Sequence, residues 1–322
     1  MAVEAPALKG KLTRSGPRLT GDGVFRVFIY GCGMLLLVIM GLMVLALLDK
    51  AHPSISKFGI SFLWTSTWDP VKSTFGAAPL IFGTLVSAII ALVFVVPMSI
   101  GCAIFLSELA PGWLRTPVSF MIEMLAAIPS VIFGLWGLFV LVPFIRDPVE
   151  RVLGDHVSFI PLFDGPPFGF GLLAAGVMLA IMVLPIITAV SRDIFLAVPN
   201  SQREAMLALG ATRWEVISQA VIPYARSGLI GAVILGLGRA MGETMAVTMV
   251  IGNGFKISAS LFQPSHTIAS AIASEFNEAT SDIYRGALIE AGLVLLVMSL
   301  IVNMAARLLV TKLVRVPERV RE

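Results

Sequence analysis

Charge is scarce in this chain. Asp, Glu, Lys and Arg together supply 13% of its 322 residues, against about 25% in a soluble globular domain, which excludes a fold wetted on all sides. Cysteine is nearly absent. Cys32 and Cys102 lie inside apolar runs, where a small hydrophobic role suits them, and two such residues make neither a disulfide framework nor a metal site. The three histidines, His52, His156 and His266, fall in separate connections without cysteine or carboxylate partners at ligand spacing, so no metal is expected. Also missing is Gly-x-x-x-x-Gly-Lys-[Ser/Thr], the loop that cradles nucleotide phosphates. Any ATP on which the protein depends must be held by another chain.

Apolar sequence takes the place of charge: 57% of the residues are hydrophobic. A membrane-spanning helix needs about 20 predominantly apolar residues, and six stretches meet that length, at about 24–48, 77–106, 117–145, 168–191, 227–252 and 283–309. They are too long for strands of a barrel, so the expected fold class is all-α and integral to the membrane. The second and third stretches contain Pro97 and Pro129, where each can tilt, kink or break. The first is too long for a cleaved signal and is read as a retained helix.

Six spans place both termini on one face. The tails and loops of that face, with Lys9, Arg14, Arg115, Arg192, Arg213 and Arg319 among them, carry about twice the Lys and Arg of the other face, so the termini are expected to be cytoplasmic. Residues 1–23 read as a flexible tail able to touch anionic lipid headgroups, and 24–322 as one six-helix domain. Trp64 and Trp68 stand near a span end, where Trp usually anchors the interface.

Between the fourth and fifth spans lies a more polar segment, 198–223. Asn200 or Ser201 can cap a helix, Gly210 is placed to stop it, and a second short helix can run from Thr212, with Glu215 in its first turn, to Ile222 before Pro223. By pattern alone this is either a projecting knob or an ordinary interfacial hairpin. Glu204-Ala205-Met206, Gly210 six residues after the Glu, and Ile222-Pro223 resemble the Glu-Ala-Ala loop of ABC importer membrane subunits. Met206, Ala220 and Ile222 depart from the family pattern by apolar swaps. The resemblance implies that residues 201–223 dock into a separate ATPase and pass its motion to the bundle, with Glu204, Ala205, Gly210 and Pro223 as coupling residues.

Among the ionisable residues within or near the spans, four stand out as functional candidates: Glu123, Arg239, Glu243 and Glu290. Each costs about 2.5–3.5 kcal/mol at mid-bilayer on insertion scales, so each is expected to face protein or water. On a continuous helix Arg239 and Glu243 share a face at i, i+4 and can pair, either as a structural bridge or as part of a transport path. Glu123 and Glu290 read as pathway acids, partners of Arg239, or interfacial residues.

The run from Arg239 through Gly242, Glu243, Thr244 and Thr248, and the segment from Trp68 to Leu85, resemble the PstC family of phosphate permeases. That resemblance extends from about residue 20 to the C-terminus. It implies the type I importer permease (MetI-like) fold and a subunit that is not itself an enzyme. It also implies a phosphate pathway in the inner membrane that includes Arg239 and Glu243; Thr244 and Thr248 can add hydroxyls to that pathway or bond back to their own helix. The implied partners are a PstA-like permease, two PstB-like ATPases carrying ATP and Mg, and a PstS-like phosphate-binding protein. No cofactor is expected on this chain and no nucleic acid among its partners. A permease for another oxyanion or small solute, and a gradient-driven transporter, stand as alternatives.

Overall fold

The computed structural model describes residues 21–157 and 159–313. They are almost wholly helical, and six helices among them are long and apolar enough to cross a membrane. The chain divides into two compact units, one ending at Asp49 and one beginning at Lys50, and the division falls inside helix α1 (Gly21–Phe58). In the first unit the apolar side chains from Val24 to Leu48 are mostly exposed, as befits a helix whose solvent is lipid. Gly21–Gly23, expected at the end of the tail, already belong to α1; the rest of the expected tail lies outside the described residues. Nor does α1 stop at Leu48. It continues through Pro53, whose missing N–H removes one backbone bond without ending the helix.

The second unit contains the other five spans: α2 (Ala78–Leu109), α4 (Ser130–His156), α5 (Leu172–Leu196), α7 (Arg213–Gly242) and α10 (Asp282–Leu313). Short helices α3 (Gly112–Ala126), α6 (Asn200–Ala208), α8 (Met245–Val250) and α9 (Ile268–Glu275) lie between them.

The third span differs from its expected position. The apolar run from 117 is cut at Pro129, whose backbone is extended (φ −59°, ψ 141°), and proline disfavours helix in the residue before it. The run becomes α3 and α4, and the span moves toward the C-terminus. It takes in Arg146, Asp147 and Arg151, which pair with one another at 3.0 and 3.2 Å. Pro97, by contrast, lies within a helix that continues past it. Three other prolines are accommodated by wide π turns: Pro143 follows the turn Gly137–Leu141, Pro148 sits inside Ile145–Glu150, and Pro223 follows Ile217–Val221. The extra residue in such a turn makes room for the ring.

The core is built on the pairing of α2 with α5, the most extensive helix contact in the molecule. Ala88 and Ala91 of α2 meet Ala174 and Ala175 of α5 in the same buried cluster. A Cβ at Gly176 would fall 2.3 Å from the Ile90 side chain, so the two backbones approach as only small residues allow. α7 packs on α5 beside this seam, with Ala232, Ala240 and Met241 buried alongside Val183 and Ile187.

The end of the bundle where α2 and α10 begin is closed by aromatic rings. Trp68 stacks on Phe255 (centroids 5.3 Å apart) and Phe75 on Tyr284 (4.9 Å), while the Tyr284 hydroxyl bonds Glu275. Trp68, expected as an interface anchor, is a buried core residue, whereas Trp64 is 75% exposed. His266, expected without a partner, is also buried. Its ring lies against Phe255, and Nδ1 is 3.1 Å from Ser270 Oγ.

Candidate transport groove and coupling elbow

Two features follow from the chain leaving α5, turning back and entering α7. The first is an elbow. Pro199 holds the backbone extended and α6 begins directly after it, with no side-chain cap at its start; Asn200, expected as a cap, accepts from Arg203 instead. Gly210 ends the first limb as expected, at φ +83°, a left-handed conformation that costs any residue with a Cβ. Thr212 then caps α7: its hydroxyl accepts from the Glu215 N–H, and the Glu215 carboxylate accepts from the Thr212 N–H at 2.7 Å. The second limb does not stop before Pro223. It passes through the π turn Ile217–Val221 into the fifth span, so the second limb of the elbow and the span are one continuous rod.

Arg203 fastens the elbow. Its Nε and Nη2 form a fork on Glu108 at 3.2 and 2.7 Å, and the same guanidinium donates to the Val198 and Phe195 carbonyls and to Asn200 Oδ1. Both side chains are largely buried, 17% and 12% exposed. Glu108 lies in the last turn of α2, so the bond ties α6 to the helix pair at the centre of the core. Met206 packs beneath, against Ala103, Phe195, Val198 and Val216. The opposite surface is open: Glu204, Ala205 and Pro223 are exposed, as are Leu207 (52%), Leu209 (84%) and Trp214 (66%).

The second feature is a groove of about 1080 Å³ between α5, α7 and α10, bordered by Ile186, Gly231, Gly238, Arg239, Asn303 and Arg307. Arg239 is exposed to it and forms no hydrogen bond or ion pair among the described residues. The expected Arg239–Glu243 pair does not form. α7 ends at Gly242, and Glu243 has an extended backbone (φ −70°, ψ 131°) before the chain restarts as α8. The four-residue register that would align the two side chains therefore does not exist, and Glu243 is buried beyond the break.

Of the remaining expected pathway residues, none borders this groove. Thr244 Oγ1 donates to the Gly242 carbonyl (3.3 Å) and Thr248 Oγ1 to the Thr244 carbonyl (2.7 Å), the local back-bonding common for Thr. Glu123, on α3, pairs with Arg192 at 3.2 Å and not with Arg239. Glu290 is buried on α10, its Oε2 without a hydrogen-bond partner. Sequence reading missed Arg307 and Asn303, although an Arg inside the last apolar run was itself a signal. It also missed Arg203 and Glu108, whose pairing across 95 residues leaves no local mark.

Six candidate spans with a clamped elbow between two of them define a multi-pass membrane protein. The family model described as "Binding-protein-dependent transport system inner membrane component" matches residues 96–315. The chain is 50% identical over 284 residues to the phosphate transport system permease protein PstC of Haemophilus influenzae, covering 87% of this chain and 90% of that protein. It is 49% identical over 293 residues to PstC of Pasteurella multocida, covering 90% and 89%. In fold it is similar to a chain of a bacterial alginate ABC transporter in complex with alginate pentasaccharide-bound periplasmic protein (TM-score 0.62, 16% identity, 91% of this chain and 98% of that one). The chain belongs to the family of binding-protein-dependent transport system inner membrane components, and within it to the PstC permeases. It is a multi-pass membrane protein and a transport subunit, not an enzyme.

Proposed function

We propose that this chain forms part of the path by which an ATP-driven importer moves inorganic phosphate across the inner membrane. The observation that carries the reading is the guanidinium of Arg239, without a partner among the described residues, beside the groove between α5, α7 and α10. An oxyanion leaving water needs its hydration replaced by donors, and a planar guanidinium offers paired N–H groups to phosphate oxygens while staying charged at every physiological pH. A charge at membrane depth with no counter-ion is costly, and a passing anion removes that cost for as long as it stays.

The groove lies open on this single chain, and a homologous PstA-like permease is the partner proposed to close it. A PstS-like protein delivers phosphate at the far end, and two PstB-like ATPases, holding ATP and Mg, engage the elbows. With both termini cytoplasmic, the exposed face of Glu204, Ala205, Leu207, Leu209 and Trp214 meets the ATPase, and Arg203 passes its displacement to α2. Because α7 is continuous with the elbow, a push there also moves Arg239. Thr244, Thr248, Glu243, Glu123 and Glu290 do not border the groove on this chain, and no contact with the ion is assigned to them.

Radiolabelled phosphate uptake by cells carrying Arg239→Gln tests the proposal, with the amount of assembled complex measured in parallel. Uptake is expected to fall to background at normal assembly; wild-type uptake overturns the assignment. Excess unlabelled sulfate in the wild-type assay distinguishes phosphate from a general oxyanion path, since sulfate competes only in the second case.

A further inference from the structure

Arg239 is not the only guanidinium on the groove. Arg307 of α10 borders the same space, is exposed, and has no hydrogen bond or ion pair among the described residues. Asn303, one turn earlier on α10, links the two. Its amide nitrogen lies 4.0 Å from the position a Cβ would take on Gly238, the residue beside Arg239. Arg307 is about 6 Å further along the axis of α10 than Asn303. Since α10 runs toward the end of the bundle where α7 begins, Arg307 lies on the elbow side of Arg239. The α7 wall here is kept bare by Gly231 and Gly238; a Cβ on Gly231 would meet nothing within 4 Å.

We propose that Arg307, with Asn303 as a bridging amide donor, forms a second oxyanion station that takes phosphate from Arg239 on its way to the elbow end of the groove. The inference rests on the phosphate reading of Arg239. A single cation that binds a dehydrated anion well also holds it, and conduction needs a second site that offsets the cost of leaving the first. The Asn303 amide gives the anion a donor on the way, so at no point are its oxygens without hydrogen bonds. Among the described residues both guanidiniums lack a carboxylate partner, so neither breaks an ion pair with one of them to receive the anion.

The chemistry Arg307 recognises is a phosphate oxygen, which a lipid headgroup also carries, and the test separates the two sources. The chain is assembled with its partner subunits in vesicles of phosphatidylcholine alone, and of phosphatidylcholine with phosphatidylglycerol. Phosphate uptake is followed against the concentration of binding protein. Arg307→Gln is expected to lower the maximal rate about tenfold or more, the loss of a charge-assisted contact, in both vesicle types. The binding-protein concentration at half-maximal uptake should stay the same, and Arg307→Lys should recover part of the rate. Asn303→Leu should give a smaller fall of the same kind.

A wild-type rate for Arg307→Gln overturns the proposal. So does a loss confined to vesicles with phosphatidylglycerol, which marks a headgroup anchor, or a loss matched by lower yield of the complex, which marks a structural role. If Arg239→Gln abolishes uptake while Arg307→Gln does not, only the second station fails. If Arg239→Gln transports normally, the phosphate reading itself fails.

Discussion

Arg203 and Arg239 stand on either side of Gly210, one in the elbow and one in the span that grows from it. Arg203 donates to five acceptors: both oxygens of Glu108, two backbone carbonyls and the Asn200 side chain. Arg239 donates to none among the described residues and faces a groove of about 1080 Å³. The difference separates two uses of charge in a membrane protein. A saturated guanidinium has no capacity left for a ligand and can only hold two helices together. A bare one ties no helices together through its charge, and the cost of that charge is recovered only when an anion arrives.

The sharpest way to break this contrast is to remove each arginine in turn and measure unfolding of the purified complex. Arg203→Met leaves Glu108 buried and unpaired and is expected to destabilise by about 3–5 kcal/mol. Arg203→Met combined with Glu108→Leu should recover most of that loss, because an apolar pair of similar volume often replaces a buried ion pair without penalty. Arg239→Met should leave the unfolding transition where it was or raise it, because it removes an uncompensated charge. Equal losses for the two single variants would show that Arg239 is structural after all.

His266 is an intermediate case, half satisfied. The Ser270 hydroxyl already donates to the Thr267 carbonyl, so Nδ1 of His266 donates to Ser270 Oγ, and Nε2 is left buried without a partner. Burial pushes the imidazole down to about 4 from its ordinary 6.5. Between those values the unfolded chain binds a proton that the folded chain refuses, so stability falls as pH drops through that window and is level on either side. The shift corresponds to about 3 kcal/mol. Unfolding measured from pH 7 to 4 should show this slope, and His266→Phe should flatten it; an unchanged slope would place the titration elsewhere.

Legibility in the sequence followed the range of the interaction. The stop at Gly210 and the Thr212–Glu215 cap rest on residues three or four apart, and both were readable. So were the six spans and the presence of an odd charge at Arg239. Pro97 and Pro129 look alike in sequence, yet one helix continues and the other breaks. The end of α7 at Gly242 has no proline to mark it, and Gly231, Gly236 and Gly238 inside the same helix make a further glycine there an ambiguous stop; α8 packs against α4 just beyond, where Ala246 and Val247 are fully buried. Misreading that break produced the expected Arg239–Glu243 pair. The Arg203–Glu108 bond joins residues 95 apart, and no local pattern announces it.

Gly210 tests the elbow without touching either arginine. A Cβ there meets nothing within 4 Å, so Gly210→Ala isolates the cost of the left-handed backbone, about 1–2 kcal/mol. The relief available is to unwind the last turn of α6, which shifts Leu209 and Glu204 relative to α7. Under the proposed coupling, phosphate taken up per ATP hydrolysed should fall, and Gly210→Asp should fall at least as far. Normal coupling in both variants would separate the elbow from the drive.

The smallest effect is expected at Thr212, and its size is what makes it informative. Thr212→Ala removes the side-chain acceptor for the Glu215 N–H, a loss of about 1 kcal/mol for a helix cap. The cap lies at the very start of the rod that carries Arg239, while Arg203, Glu108 and the Met206 cluster still hold the elbow in place. If motion is transmitted by the rigidity of α7 from its first turn, fraying that turn should lower uptake per ATP although overall stability scarcely changes. If uptake per ATP is unaffected, the force enters through the Arg203–Glu108 tie to α2, and the saturated arginine rather than the capped helix is the mechanical joint.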